Sequence, residues 1–142
     1  MVFIRDVMNR VVFTCEPNLT VERAASIMVE KGIGSLIVVE NNKLIGVVTN
    51  RDIMKAVARG EDLSRLEVKN IMTKKVITIS PSNTLEEAVD LMLKFKIKRL
   101  PVIDGDKLVG IVTVSDIIVI EPKIIQSLAS LLSIKISGYK AA

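Results

Sequence analysis

The chain has 142 residues, 49% of them hydrophobic and 25% charged, the balance of one globular, domain-sized object rather than a disordered tail. A net charge of +4 is spread over 20 basic and 16 acidic residues, and aromatics make up only 3% with no tryptophan, so little is available for stacking single-stranded bases. Histidine is absent and Cys15 is the single cysteine, which excludes an internal disulfide and leaves no imidazole to activate a thiolate.

The opening MVFIRDVMNR has no long apolar region before a small-residue cleavage site, and charges interrupt every apolar run well short of a membrane span. A soluble, cytoplasmic protein is therefore expected. A β-type run, Val11-Val12-Phe13-Thr14, leads into Cys15, read as a small apolar strand residue, and is broken by Pro17. Thr20 stands where an N-cap belongs, and Val21, Ala24, Ala25 and Met28 recur at helical spacing, which makes Met28 a core residue rather than a metal ligand. Two apolar runs follow, Leu36 to Val39 and Leu44 to Val48. The Glu40-Asn41-Asn42-Lys43 connector between them tolerates positive φ and predicts a hairpin. A second helix starts at Thr49 and carries Ile53, Ala56 and Val57, and the polar stretch Arg59 to Lys69 reads as a connector that breaks near Gly60 and Asp62.

The same order then returns. Shifted by 64 positions, Met8 to Ile53 falls on Met72 to Ile117 without a gap. The second copy has Val76-Ile77-Thr78-Ile79, Pro81, Thr84, and a helix with Leu85, Ala88, Val89 and Met92. Its hairpin runs from Leu100 to Val112 across Asp104-Gly105-Asp106-Lys107, and a last helix starts at Thr113. Each copy is too short to bury a sizeable core alone, so the expectation is two half-modules about a pseudo-twofold axis with any cleft between them appearing twice. The fold class is α/β (α+β): tandem β-α-β-β-α repeats at 1–60 and 71–122, a connector at 61–70 and a C-terminal extension at 123–142. Pro122 suits the first turn of a helix with an apolar stripe of Ile124, Leu128, Leu131 and Leu132, packing on its own module or at a dimer interface. The alternation Ser133 to Ser137 offers a terminal strand instead.

The strongest chemical signal is a doubled string, Gly46-Val47-Val48-Thr49-Asn50-Arg51-Asp52 and Gly110-Ile111-Val112-Thr113-Val114-Ser115-Asp116. A glycine within a β-branched strand lets another group approach the backbone. The Thr-x-x-Asp step is an approximate capping box, and that role alone accounts for it. A carboxylate at a helix start also accepts two hydrogen bonds at once, matching the vicinal hydroxyls of a ribose, with phosphate oxygens held beside it. Both roles are compatible.

With these strings, the Val7-Met8 and Ile71-Met72 openings, the Pro-x-x-Thr steps and Lys98-Arg99-Leu100-Pro101-Val102, residues 7–120 resemble the cystathionine-β-synthase (CBS) domain pair, or Bateman module. The resemblance implies two related clefts for adenosine-containing ligands such as AMP, ADP, ATP or S-adenosylmethionine, in a regulatory module that often dimerises. It implies that Asp52 and Asp116 hold ribose, with Thr49 and Thr113 near ribose or phosphate. Thr14, Cys15 and Pro17, and Thr78, Ile79 and Pro81, would face adenine, with apolar contacts from Ile33 and Ile97. Lys98 and Arg99 would meet phosphate. The first repeat has Gly34-Ser35 in place of that basic step, with Arg51 as a partial substitute, so the Asp116 cleft is expected to be the better phosphate site.

No catalytic set, metal-ligand spacing or Lys-bearing phosphate loop is present, so neither an enzyme, a metal site nor a required cofactor is expected. The leading expectation is a stand-alone adenine-nucleotide sensor, a homodimer that transmits occupancy to an unknown protein partner. Its rivals are a ligand-free dimerisation or scaffold module and a nucleic-acid binder using the positive charge.

Overall fold

The computed structural model describes residues 1–132. Its elements are α1 (Ile4–Val7), β1 (Thr14–Cys15), α2 (Val21–Lys31), β2 (Ser35–Glu40), β3 (Lys43–Thr49) and α3 (Asn50–Ala58). After a 3-10 turn at Val68–Asn70 come α4 (Leu85–Phe95), β4 (Arg99–Asp104), β5 (Lys107–Thr113) and α5 (Val114–Ile120), then a 3-10 turn at Pro122–Ile124 and α6 (Ile125–Leu132). The mixed α/β class and the repeated order are as expected. The possible strand at 133–137 lies outside the described residues.

The chain forms two compact units, and their borders do not follow the sequence repeats. The first unit comprises residues 12–76 with 106–108. The second comprises residues 1–11 and 77–105 with 109–132. In the first unit β1 runs parallel to β2, pairing Thr14 with Ile37 and Cys15 with Val38, and β2 runs antiparallel to β3 from Ser35↔Thr49 to Glu40↔Lys43. Asn41 and Asn42 take φ of 53° and 64°, the left-handed pair a tight hairpin needs. Ala24 and Met28 of α2 pack on Leu36, Val38 and Val48 of this sheet. In the second unit Ala88, Val89 and Met92 of α4 pack with Leu100, Val102 and Val112, and Leu128 and Leu131 of α6 join the same core. Of the stripe the sequence marks, Leu128 and Leu131 are thus buried within their own unit.

Two predicted strands are shorter than their apolar runs. Only Thr14 and Cys15 pair in the first repeat, and in the second only Ile79 makes a parallel bridge, to Val102. The reason lies in the unit borders, at Val11/Val12 and Val76/Ile77. These residues carry the chain from one unit to the other, and Val11 is left 66% exposed.

What completes each unit is the opening segment of the other repeat. In the second unit Ile4 is fully buried, the Leu85 amide donates to the Val2 carbonyl at 2.9 Å, and Asn9 and Ile111 exchange backbone hydrogen bonds of 2.8 and 2.9 Å. In the first unit the same bonds recur at equivalent positions: Val21 to Leu66 at 2.8 Å, and Thr73 with Val47 at 2.9 and 3.0 Å, with Val68 fully buried. Burying an isoleucine or valine side chain in this way stabilises by about 1.5–3 kcal/mol. The strand glycines make room for it. A Cβ on Gly110 would lie 2.7 Å from Met8 Sδ and 3.0 Å from the Asn9 carbonyl oxygen, and one on Gly46 would lie 2.6 Å from Met72 Sδ and 3.0 Å from the Thr73 carbonyl oxygen.

The ends of α2 and α4 correspond, with differences in detail. Thr20 and Thr84 cap α2 and α4 as predicted, each hydroxyl accepting a backbone amide at 3.2 Å. At the C-caps, Gly32 adopts φ 65° without strain, whereas its counterpart Lys96 takes φ 54° with a Cβ in the way. Lys96→Gly should therefore raise stability by about 0.5–1 kcal/mol in urea denaturation. Gly110→Ala, meeting a backbone carbonyl that cannot step aside, should lower it by about 1–3 kcal/mol.

Candidate functional site

Both Thr-x-x-Asp steps are complete capping boxes. At the start of α3 the Asp52 amide donates to Thr49 Oγ1 (3.2 Å), while Asp52 Oδ2 accepts from the Thr49 amide (2.9 Å) and the Thr49 hydroxyl (3.1 Å). At the start of α5 the Asp116 amide donates to Thr113 Oγ1 (3.2 Å), and Asp116 Oδ2 accepts from the Thr113 amide (3.0 Å). The first helical amide is also used: Asn50 donates to the Gly34 carbonyl at 3.0 Å and Val114 to the Lys98 carbonyl at 2.9 Å. Each carboxylate is thus held by one oxygen. Its other oxygen accepts no hydrogen bond among the described residues and can take a hydroxyl donor from outside.

The Lys98–Val114 bond ties the basic step to the helix start, one residue from Thr113. Lys98 is exposed and Arg99 half-buried. Desolvation of the Arg99 guanidinium depresses its pKa below the ordinary arginine value, and no ion pair answers its charge among the described residues. A guanidinium partly removed from water without a counter-charge favours an anion. In the first unit the Asn50–Gly34 bond is the same but the side chains beside it are Gly34 and Ser35, and Arg51 is exposed on α3. The charge difference read from sequence is thus placed on otherwise matching backbone.

The remaining expected residues are scattered more widely. In the first unit Thr14 is exposed and lines a cavity of about 560 Å³ with Val39 and Asn41 to Lys43. Buried Pro17 lines another of about 520 Å³ with Glu16, Glu40 and Lys69, and half-buried Ile33 lines an apolar groove of about 400 Å³. The three residues border different hollows. Pro17 and Pro81 share a structural task that the sequence did not signal: their carbonyls accept the amides of Lys69 and Arg5, at 3.0 and 3.1 Å, from the incoming opening segments. Thr78 is exposed, Ile79 buried, and Ile97 and Pro81 half-buried in the second unit. Among the described residues no three His, Cys, Asp or Glu side chains are grouped to hold a metal ion, and no helix is long and apolar enough to cross a membrane.

A CBS domain model matches residues 4–59 and 68–122. The chain belongs to the CBS-domain family. The CBS domain-containing protein YhcV of Bacillus subtilis (strain 168) is 38% identical over 117 residues, 82% of this chain and 83% of that protein. An inosine-5'-monophosphate dehydrogenase of Korarchaeum cryptofilum (strain OPF8) is 41% identical over 109 residues, 76% of this chain but only 22% of the enzyme. Among solved structures, the CBS domain pair of protein MJ0100, in complex with 5-methylthioadenosine and S-adenosyl-L-methionine, superposes with a TM-score of 0.78 at 30% identity. That match covers 87% of this chain and 98% of that one. The CBS pair resembled at 7–120 is therefore the chain's architecture, and adenosine-containing ligands are bound by at least one pair of closely similar fold.

Cys15 is buried in β1, and burial, with the nearby Glu16 charge adding to it, pushes its thiol from the ordinary 9.0 up to about 11. It is a packed, protonated thiol at neutral pH. Between pH 9 and about 11 the unfolded chain releases this proton and the folded chain keeps it, so stability should fall as pH rises through that window. Cys15→Val should flatten the decline, measured as urea midpoint against pH.

Proposed function

We propose that this CBS pair is a regulatory sensor in the cytoplasm. It binds adenosine nucleotides, AMP, ADP, ATP or a related compound, at the Thr-x-x-Asp helix starts, and passes occupancy to a protein partner. The observation that carries this reading is the pairing, within one unit, of the Asp116 carboxylate, held by one oxygen, with the unanswered Arg99 charge. The free carboxylate oxygen suits a ribose hydroxyl and the guanidinium a phosphate. Support comes also from the adenosine-containing ligands of the MJ0100 pair. In this reading Asp52 and Thr49 serve a second site whose Gly34-Ser35 step offers no cation, and no cofactor is required for folding. The protein acts as a homodimer, for which the exposed apolar residues of its helices, Val29, Met54 and Val119 among them, are the support.

A second reading has a specific observation in its favour. Both Thr-Asp pairs form complete capping boxes, each worth about 0.5–2 kcal/mol, and that alone accounts for their presence in a ligand-free scaffold. Isothermal titration calorimetry with AMP, ADP, ATP, S-adenosylmethionine and 5-methylthioadenosine separates the two. Asp116→Ala should abolish most nucleotide affinity, with Asp116→Asn, which can keep the cap bond, as the control for folding. Arg99→Ala should weaken the phosphorylated ligands at least tenfold while sparing 5-methylthioadenosine. No heat with any ligand, or affinities indifferent to Asp116, would leave the scaffold reading in place.

A further inference from the structure

The first unit has a hollow set apart from its Thr-x-x-Asp step. A cavity of about 520 Å³ is lined by the loop after β1, the turn end of the β2–β3 hairpin and the opening segment of the second repeat. Glu40, in its lining, pairs with Lys43 at that end of the hairpin, whereas Thr49 pairs with Ser35 at the other. At about 3.3 Å per residue along β2, the two places are about 17 Å apart. Backbone bonds fix the walls. The Lys69 amide donates to the Pro17 carbonyl at 3.0 Å, and Thr73 and Val47 exchange bonds of 2.9 and 3.0 Å, so the segment carrying Lys69, Met72 and Lys74 is held in place before any ligand arrives.

The lining offers two kinds of surface. Buried Pro17 and half-buried Ile45 and Met72 supply apolar contact, and exposed Glu16, Glu40, Lys69 and Lys74 supply charge. Two carboxylates and two ammonium groups sum to zero. A simple anion would meet both carboxylates and a simple cation both ammonium groups, so the balance favours a molecule carrying both signs. Among the described residues Glu16, Glu40 and Lys74 are in no ion pair, and Lys69 has one exposed contact, 3.5 Å from Glu67, of the kind that contributes little.

The second unit uses the equivalent positions differently. Ser80 replaces Glu16, and its hydroxyl lies 3.0 Å from that of Ser82. Arg5 and Arg10 replace Lys69 and Lys74. The Arg5 guanidinium covers the Phe3 ring at 4.7 Å, and that of Arg10 donates to the Arg5 carbonyl at 3.4 Å. These groups are engaged locally, and Asp104 is the one carboxylate left among the four matching positions, so the balance of signs belongs to the first unit.

From this we propose that the first unit binds a free α-amino acid with an apolar side chain in this cavity. Its ammonium group faces Glu16 and Glu40, its carboxylate faces Lys69 and Lys74, and its side chain lies on Pro17, Ile45 and Met72. The volume falls within the range of about 300–1,000 Å³ typical of small-molecule sites. Occupancy ties the loop after β1 to the opening segment of the second repeat and so stabilises the first unit. The site uses neither Asp52 nor Asp116 and stands or falls apart from the adenosine reading.

Amide NMR of the full chain, titrated with L-leucine and L-phenylalanine, tests the site, alongside isoamylamine, which is leucine without the carboxylate, and 4-methylpentanoate, which is leucine without the ammonium group. Leucine should bind with a Kd of about 1 mM or tighter, at least tenfold more tightly than either truncated compound, and shift the amides of residues 16–18, 40–45 and 69–74. Lys74→Gln should remove the advantage of leucine over isoamylamine, and Glu40→Gln its advantage over 4-methylpentanoate; both side chains are exposed, so neither change disturbs the core. The urea midpoint of the parent chain should rise with leucine. An absence of shifts with both amino acids at about 10 mM overturns the proposal. Equal affinity for leucine and its truncated forms, shifts confined to other segments, or a Lys74→Gln chain that binds leucine as the parent does would overturn it as well.

Discussion

The contact on which everything else depends is a methionine lying against a bare strand backbone. Met8 on Gly110 and Met72 on Gly46 fix where the opening segments run, and the backbone bonds beside them, Asn9 with Ile111 and Thr73 with Val47, complete the attachment. A glycine in the middle of a β-branched strand weakens that strand by itself. It is retained here because a Cβ would meet not only a flexible thioether, which could turn aside, but also a carbonyl oxygen fixed by its own hydrogen bond. The apolar residues brought in by these segments, Ile4 and Val68, are fully buried, so the helix and hairpin of each repeat have a finished core only with the segment in place.

The doubled Thr-x-x-Asp step shows how one side chain can cap a helix and still keep an oxygen for the recognition proposed above. A carboxylate has two oxygens, and capping a helix engages one of them. Because Asp52 and Asp116 are tied down through Oδ2, the direction of the other oxygen is set before any ligand arrives, and little rotamer entropy remains to be lost on binding. The same economy makes a bare Asp→Ala ambiguous, since it removes a cap along with the proposed recognition group. Arg99 has no such capping duty among the described residues, so its substitution leaves the helix start intact.

Much of the fold was legible because its signals are local. Thr20 and Thr84 at helix starts, Met28 and Met92 on buried faces, and the Asn41-Asn42 turn each follow from a few neighbouring residues. Leu128 and Leu131, in the apolar stripe of the extension, are buried in the core. What escaped is non-local. Nothing in Val11 to Thr14 says that most of the run will be spent crossing between units, and a four-residue helix such as α1 is too short to show a period. Gly46 and Gly110 did announce a close approach, but not that the visitor would be Met72 or Met8. At the site, residue types were readable and their mutual placement was not. Thr113, Asp116, Lys98 and Arg99 are drawn together by a strand-to-helix bond, whereas Thr14, Pro17 and Ile33 border separate hollows.

The crossing of the opening segments sets an order of assembly during synthesis. Residues 12–76 supply almost all of the first unit and can close around Val68 as soon as they are made. Met1 to Val11 are made before their seat, which includes Gly110, about a hundred residues later in translation. Until then Met8 has no bare strand to lie against, and the core that buries Ile4 is incomplete.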